Sequence, residues 1–325
     1  MKNKHHVVVE TQRLKYEFDI KRNITVIQGD SATGKTTLVE LLATYSRFGK
    51  ESGISLQSDV PCVVFGGDAG IWKSVLEAYQ DSIVFIDEDY SFIYSRDFAE
   101  LIQQSSNYYV LITRQPLYNL PYSVQEIYGI RTTGKYHYPE KIFHEFYRIY
   151  RDTEVSLDQE VLVMVEDAKS GYQFFSKSCK HGECVSVEGN SQFVGCIENA
   201  ADDKKVVVIA DGAAFGAYVA KVTAIAESRK DVMLYFPESF EWLILKSGII
   251  GIKDLDTILA EPEKYIESNR FFSWERYFTD LLITATSGDS IRKYEKSQLK
   301  SFYLEGRNKD AILGVLPEEL KKIFG

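Results

Sequence analysis

Cysteine is scarce in this chain: four in 325 residues. Cys62, Cys179, Cys184 and Cys196 form no dense framework, and a chain this long can build a core without covalent staples. Long hydrophobic runs are missing as well. No stretch approaches the roughly 18 uninterrupted apolar residues of a membrane span. The opening MKNKHHVVVE has too short an apolar run for a secretory segment. A cytoplasmic location with no membrane partner is expected. Positive charge is in deficit, with 38 Lys and Arg against 47 Asp and Glu and a formal net charge of −9. The molecule as a whole is therefore not an electrostatic nucleic-acid binder. Internal repeats and low-complexity runs are absent too.

What is present is an ordinary globular composition, 45% hydrophobic and 26% charged, in a chain long enough to favour two domains. Its first half alternates short β-branched strands (HVVVE, KYEFDI, NITVIQ, PCVVF, SIVFID, YYVLIT) with helical stretches, and SVQEIYGI is expected to close the sheet. Residues Lys35 to Phe48 read as a helix with Leu38, Leu41, Leu42 and Tyr45 on one face. Around Tyr147 to Leu157 the pattern turns polar and begins again with VLVMVED, CVSVEG, KVVVIAD and VMLYF. This β-α alternation predicts an α/β protein: a mainly parallel sheet over 1–150, a second, smaller α/β domain over 151–260, and a helical C-terminal segment over 261–325. Ile291 to Gly325 carries eight Lys or Arg against five acids, a solvated helical tail or a nucleic-acid contact. In CKHGEC, Cys179, His181 and Cys184 lie within reach of one zinc ion, although the spacing matches no common zinc ribbon.

GDSATGKT, Gly29 to Thr36, matches the P-loop pattern G-x-x-x-x-G-K-[ST] at every fixed position. At average residue frequencies a chance match in this length is about one in a hundred, and the motif also follows a strand and opens a helix. Such a loop binds a nucleoside triphosphate, here taken as ATP, with Mg²⁺. Gly29 and Gly34 let the backbone curl so that the N–H groups of Asp30, Ser31, Ala32 and Thr33 face phosphate oxygens, and the helix offers its positive end. Lys35 would reach the β- and γ-phosphates, Thr36 would ligate Mg²⁺ and Thr37 would bond the α-phosphate. The hydrated metal also needs a carboxylate at a neighbouring strand end, and SIVFIDED supplies Asp87, followed by Glu88. A solvated strand end or helix cap is the competing account of both acids.

The run YEFDIKRNITVIQGDSATGKTTL, with SIVFIDED, resembles the opening of ATP-binding-cassette and SMC-type ATPases of the ASCE group, over roughly Val7 to Arg131. That resemblance implies that Glu88 polarises the attacking water and that Thr113, at the end of YYVLIT, senses the γ-phosphate. Arg114 is open to two readings, an arginine finger or a surface cation. Tyr16 and Phe18 are open to a base-stacking role or a place in the core. The sequence departs from the family in lacking an LSGGQ-type signature. FGGDAG, Phe65 to Gly70, has only some of its glycines, so composite-site dimerisation is unsupported.

Glu166 after VLVMV and Asp211 after KVVVIA, each followed by a helical stretch, resemble the acidic positions of a Toprim domain. A P-loop ATPase fused to a Toprim domain is the layout of the overcoming-lysogenisation-defect nucleases. Toprim enzymes carry Asp-x-Asp, however, and here the second position is Ala213. Glu166 and Asp211 can hold one Mg²⁺ weakly, whereas two-metal cleavage needs more carboxylates; Asp167, then Glu238 or Glu241, are the further candidates, and the constellation stays incomplete. The expected function is an ATPase whose nucleotide state controls a second domain that acts on nucleic acid or a partner protein, with oligomers allowed. The alternatives are a small-molecule kinase, with Asp87 as base, and a nucleotide-gated interaction protein of negligible turnover.

Overall fold

Runs of β-branched and aromatic residues closed by turns are strand-formers that must bury both faces, which needs helices on either side of a sheet. In the computed structural model, which describes residues 2–29, 34–133, 141–153, 155–156, 160–201 and 204–324, these runs form two sheets in two compact units. Unit 1 comprises Met1–Ile149 with Glu261–Phe272, and unit 2 comprises Tyr150–Ala260 with Ser273–Gly325. The region expected as a separate C-terminal segment over 261–325 is thus divided between the two. Hydrogen bonds explain the part that joins unit 1: Asn3 N–H donates to the Glu263 carbonyl at 2.7 Å, and the Asn23 side-chain Nδ2 donates to the Phe272 carbonyl at 3.0 Å.

Unit 1 holds strands β1 (His5–Glu10), β2 (Leu14–Ile20), β3 (Ile24–Ile27), β4 (Ser55–Gln57), β5 (Cys62–Val64), β6 (Ile83–Ile86), β7 (Tyr108–Ile112), β8 (Ile127–Thr132) and β9 (Ile142–Arg148). They form one sheet in the order β4-β1-β2-β9-β8-β3-β7-β6-β5. Strands β8, β3, β7, β6 and β5 are mutually parallel, so their carboxyl ends share one edge. The β8–β9, β1–β2 and β1–β4 pairs are antiparallel. SVQEIYGI therefore does not close the sheet. β9 pairs with both β8 and β2 and carries it on. Its residues are half-buried almost throughout, so it lacks the alternation that marks a strand in sequence. Helix α1 (Lys35–Phe48) buries Leu38, Val39 and Leu42 in the core that holds Phe18, Ile27 and Phe85, while Leu41 and Tyr45 only flank it. Helices α2 (Trp72–Glu77) and α3 (Arg96–Gln104) complete the described α-helices of this unit, α3 being capped by Ser95 Oγ, which accepts from Phe98 N–H at 3.1 Å.

Unit 2 has strands β10 (Val161–Val165), β11 (Gly182–Ser186), β12 (Lys205–Ile209) and β13 (Val232–Tyr235), all parallel in the order β11-β10-β12-β13. Its helices are α4 (Ser170–Ser178), α5 (Phe193–Glu198), α6 (Gly216–Ser228), α7 (Phe240–Lys246), α8 (Leu255–Ala260), α9 (Trp274–Thr286), α10 (Ser301–Leu304), α11 (Gly306–Leu313) and α12 (Glu318–Phe324). Val206 to Ile209 are buried without a break, as in a strand covered on both faces. In the basic C-terminal stretch Arg292, Lys293, Lys296, Lys321 and Lys322 are ion-paired within the unit, which spends much of its charge locally. No helix among the described residues is long and apolar enough to cross a membrane.

Candidate nucleotide site and an acidic cavity

The carboxyl edge of β3, β7 and β6 gathers the residues singled out in unit 1, at the edge where open parallel sheets receive ligands. Asp30, Ser31, Ala32 and Thr33 lie outside the described residues. On either side of them, Gly29 and Gly34 have φ of +129° and +97°, a region that favours glycine. Lys35, 7% exposed, turns back so that Nζ donates to the Gly29 carbonyl at 2.5 Å. Thr36 is exposed and Thr37 half-buried in the first turn of α1. From Thr37 a groove of about 640 Å³ runs past Glu40 and Thr44 of α1 and is walled by Thr11 and Arg13 of the β1–β2 turn.

Tyr16 is not available to a base. It is 1% exposed, stacks on His144 at 4.4 Å between ring centroids and donates its hydroxyl to the Gly34 carbonyl at 3.1 Å. The register of β2 and β9 sets Tyr16 opposite His144, so two strands brace the last glycine of the loop. Burial lowers the His144 pKa, and its Nδ1 has no hydrogen-bond partner among the described residues. Phe18, 5% exposed, stacks on Phe146 at 4.2 Å and is likewise core.

β6 ends at Ile86 and delivers Asp87 and Glu88 to the same edge. Asp87 Oδ1 accepts from Glu88 N–H at 2.8 Å. Burial holds the Asp87 carboxyl above its usual range; Asp89 and Glu88 add to this, while the Glu88 N–H and the Lys35 ammonium oppose it. Glu88 Oε2 accepts from Arg114 Nε at 2.9 Å in a largely exposed pair. Thr113 is 1% exposed and its hydroxyl is engaged: it donates to the Gln115 carbonyl at 2.9 Å and lies 2.7 Å from the Tyr94 hydroxyl. It contacts a ligand only by giving up one of these bonds. FGGDAG folds as a turn over aromatic side chains, with Phe65 edge-on to Phe92 at 5.0 Å and Asp68 accepting from Gly70 N–H at 2.8 Å.

In unit 2, Glu166 and Asp211 follow the neighbouring parallel strands β10 and β12, whose last residues Val165 and Ile209 are in register. They line a small cavity of about 30 Å³ together with Asp167, Glu241 and Lys296. Glu241 is fully buried; its Oε1 accepts from the Tyr294 hydroxyl at 2.6 Å, and its Oε2 has no hydrogen-bond partner among the described residues. Lys296 Nζ lies 2.6 Å from Glu275 Oε1 and 3.8 Å from Glu241 Oε1. Burial and the Glu275 charge push the Glu166 carboxyl up, and Asp211 is raised by burial, Glu275, Glu166 and Glu241. Burial works to lower Lys296, but Glu241, Asp211 and Glu275 outweigh it and its pKa rises. Ala213 is 2% exposed under the Glu238 carbonyl, which accepts its N–H at 3.2 Å, so this position does not open into the cavity.

Among the described residues no group of three or more His, Cys, Asp or Glu side chains is arranged to hold a metal ion. Cys179, His181 and Cys184 are accordingly not gathered into a zinc site, and burial pushes the Cys184 thiol up to about 12. Sequence reasoning missed Tyr16 and His144 as the brace behind Gly34, and Glu275, Tyr294 and Lys296 beside the acidic cavity. The last three lie far along the chain in a segment with no motif. No protein-family model matches this chain, and no curated protein gives a significant match.

Proposed function

We propose that unit 1 binds MgATP through Gly29–Thr36 and hydrolyses it. The observation that carries this reading is Lys35: a buried ammonium, held against the Gly29 carbonyl at 2.5 Å, at the strand edge that also receives Asp87 and Glu88. A buried ammonium at the first residue of a helix that opens from a glycine-bounded loop suits an anionic ligand there. Asp87, Glu88 and Asp89 form an acidic run whose carboxyl at Asp87 is already pushed up by burial and its neighbours, which suits a cation. Mg²⁺ needs few protein ligands and would be held by Asp87 and Thr36, neutralising charge on the β- and γ-phosphates.

The chain's own groups then divide the work. Lys35 would exchange the Gly29 carbonyl for phosphate oxygens, and Thr37 would bond the α-phosphate. The nucleoside would lie along the groove between α1 and the β1–β2 turn. Glu88 would take a proton from water as that water attacks the γ-phosphorus and the bond to the β–γ bridging oxygen breaks. This requires Glu88 to leave Arg114, which costs little for so exposed a pair. Arg114, once released, is free to meet the γ-phosphate charge. In unit 2, the adjacent strand-end acids Glu166 and Asp211 support a Toprim-like arrangement without the second Asp.

The test is phosphate release from MgATP by the purified protein with no acceptor added. Release by wild type, with Glu88→Gln retaining ATP binding and losing turnover, supports hydrolysis. Phosphate transfer only to a metabolite hydroxyl would replace this reading with that of a kinase.

A further inference from the structure

We propose that the Lys296 ammonium is the resident cation of the acidic cavity in unit 2, standing where a divalent ion would and keeping such ions out. The proposal rests on reading the Glu166–Asp211 edge as a cation site, and it concerns what fills that site. Four carboxylates, from Glu166, Asp211, Glu241 and Glu275, bear on one another here, and Lys296 is the cation that acts on the first two and pairs with the others. The cavity has room for about one water-sized occupant. Glu241 Oε2, fully buried and without a hydrogen-bond partner among the described residues, is an acceptor that a donor or cation in the cavity would satisfy.

Lys296 is fixed in place by the chain around it. Its carbonyl accepts from Ser170 N–H at 3.0 Å, the Ser297 carbonyl accepts from the Gln173 amide at 2.8 Å, and Leu299 N–H donates to Gln173 Oε1 at 2.9 Å. Tyr294 adds a bond from its hydroxyl to Glu241. The segment between α9 and α10 is thus stapled to the start of α4 and carries the ammonium to the carboxyl edge of β10 and β12. A lysine ammonium cannot coordinate a water and lower its pKa to make a hydroxide nucleophile, nor clamp the attacking and leaving oxygens, as a divalent metal does, so the plugged cavity does not cut phosphodiesters. Position 213 offers no remedy, since its side chain is buried away from the cavity.

The experiment is Mn²⁺ binding to the full chain, followed by electron paramagnetic resonance and by the shift in melting temperature. Lys296→Gln should bind one more Mn²⁺ than wild type, with affinity raised by about ten-fold or more once the competing charge is gone. Glu166→Gln in the Lys296→Gln background should abolish that ion, which separates it from any ion bound in unit 1. If Lys296→Gln does not fold, Lys296→Gln with Glu275→Gln restores the charge balance and is read the same way. Wild type binding the Glu166-dependent ion as tightly as the lysine variants would overturn the plug while leaving the cation site standing. Absence of that ion from every folded lysine variant would overturn both.

Discussion

Replacing Gly34 by Ala tests how tightly the loop after β3 is shaped. Gly34 has φ of 97° and ψ of 5°, and a Cβ built on it stands 2.8 Å from Tyr16 Oη. Left-handed backbone costs a non-glycine residue about 1–2 kcal/mol. The contact adds overpacking of about 1–3 kcal/mol, because Tyr16 is stacked on His144 and cannot withdraw freely. Gly34→Ala should therefore destabilise unit 1 by about 2–5 kcal/mol. Tyr16→Phe alone should cost about 1 kcal/mol, through loss of its bond to the Gly34 carbonyl. The double variant should lose less than the sum, by about 1–2 kcal/mol, since removing the hydroxyl makes room for the new methyl. Calorimetric melting that resolves the unit 1 transition gives all three values. Strict additivity, or a Gly34→Ala protein as stable as wild type, would refute the bracing of Gly34 by Tyr16.

Other perturbations are expected to behave as follows. Arg22→Met should cost about 3 kcal/mol or more, because it strips the buried Glu126, whose Oε1 lies 3.2 Å from Arg22 Nε, of its nearest counter-ion; a loss under about 1 kcal/mol by urea denaturation would show that other cations suffice. Glu166 has its folded pKa raised from 4.5 to about 7, so it retains its proton in the folded state after the unfolded chain has lost it. Its contribution is full below the unfolded value and is lost as pH rises through the folded one. Glu166→Gln should accordingly gain in melting temperature relative to wild type between pH 4.5 and about 7, and a difference that stays constant across that window would contradict the assigned burial. Arg114→Ala should lower ATP turnover by about ten-fold or more if the guanidinium meets the γ-phosphate; an increase would mean that it only restrains Glu88.

The parts of the fold set by local chemistry were legible in the sequence. Val206 to Ile209 and Ile83 to Ile86 are unbroken apolar runs, and both are interior parallel strands. Helix α1 has the bounds that its opening glycine and its apolar face predict. β4 and β9 were not legible, since the first has three residues and the second is half-buried along its length. Strand-end acids could be identified because a single carboxylate after an apolar run stands out. The groups that act on them could not: Arg114 reaches Glu88 from the end of the neighbouring strand, and Lys296 reaches Glu275 and Glu241 from a segment without periodicity. Thr113 shows the limit most clearly. Its position at the end of β7, between β3 and β6, follows from the sequence and topology, but its engagement with Tyr94 and Gln115 depends on turns that no pattern specifies.

The claim on which the rest depends is that Lys35 binds the phosphates of ATP, and calorimetric titration of wild type and Lys35→Ala with MgATP tests it most directly. Lys35 is 7% exposed, so circular dichroism must first show that the variant is folded. The account predicts saturable binding by wild type, with affinity reduced by about ten-fold or more in Lys35→Ala as a charge-assisted contact to phosphate is lost. Wild-type affinity and turnover in a folded Lys35→Ala protein would contradict it.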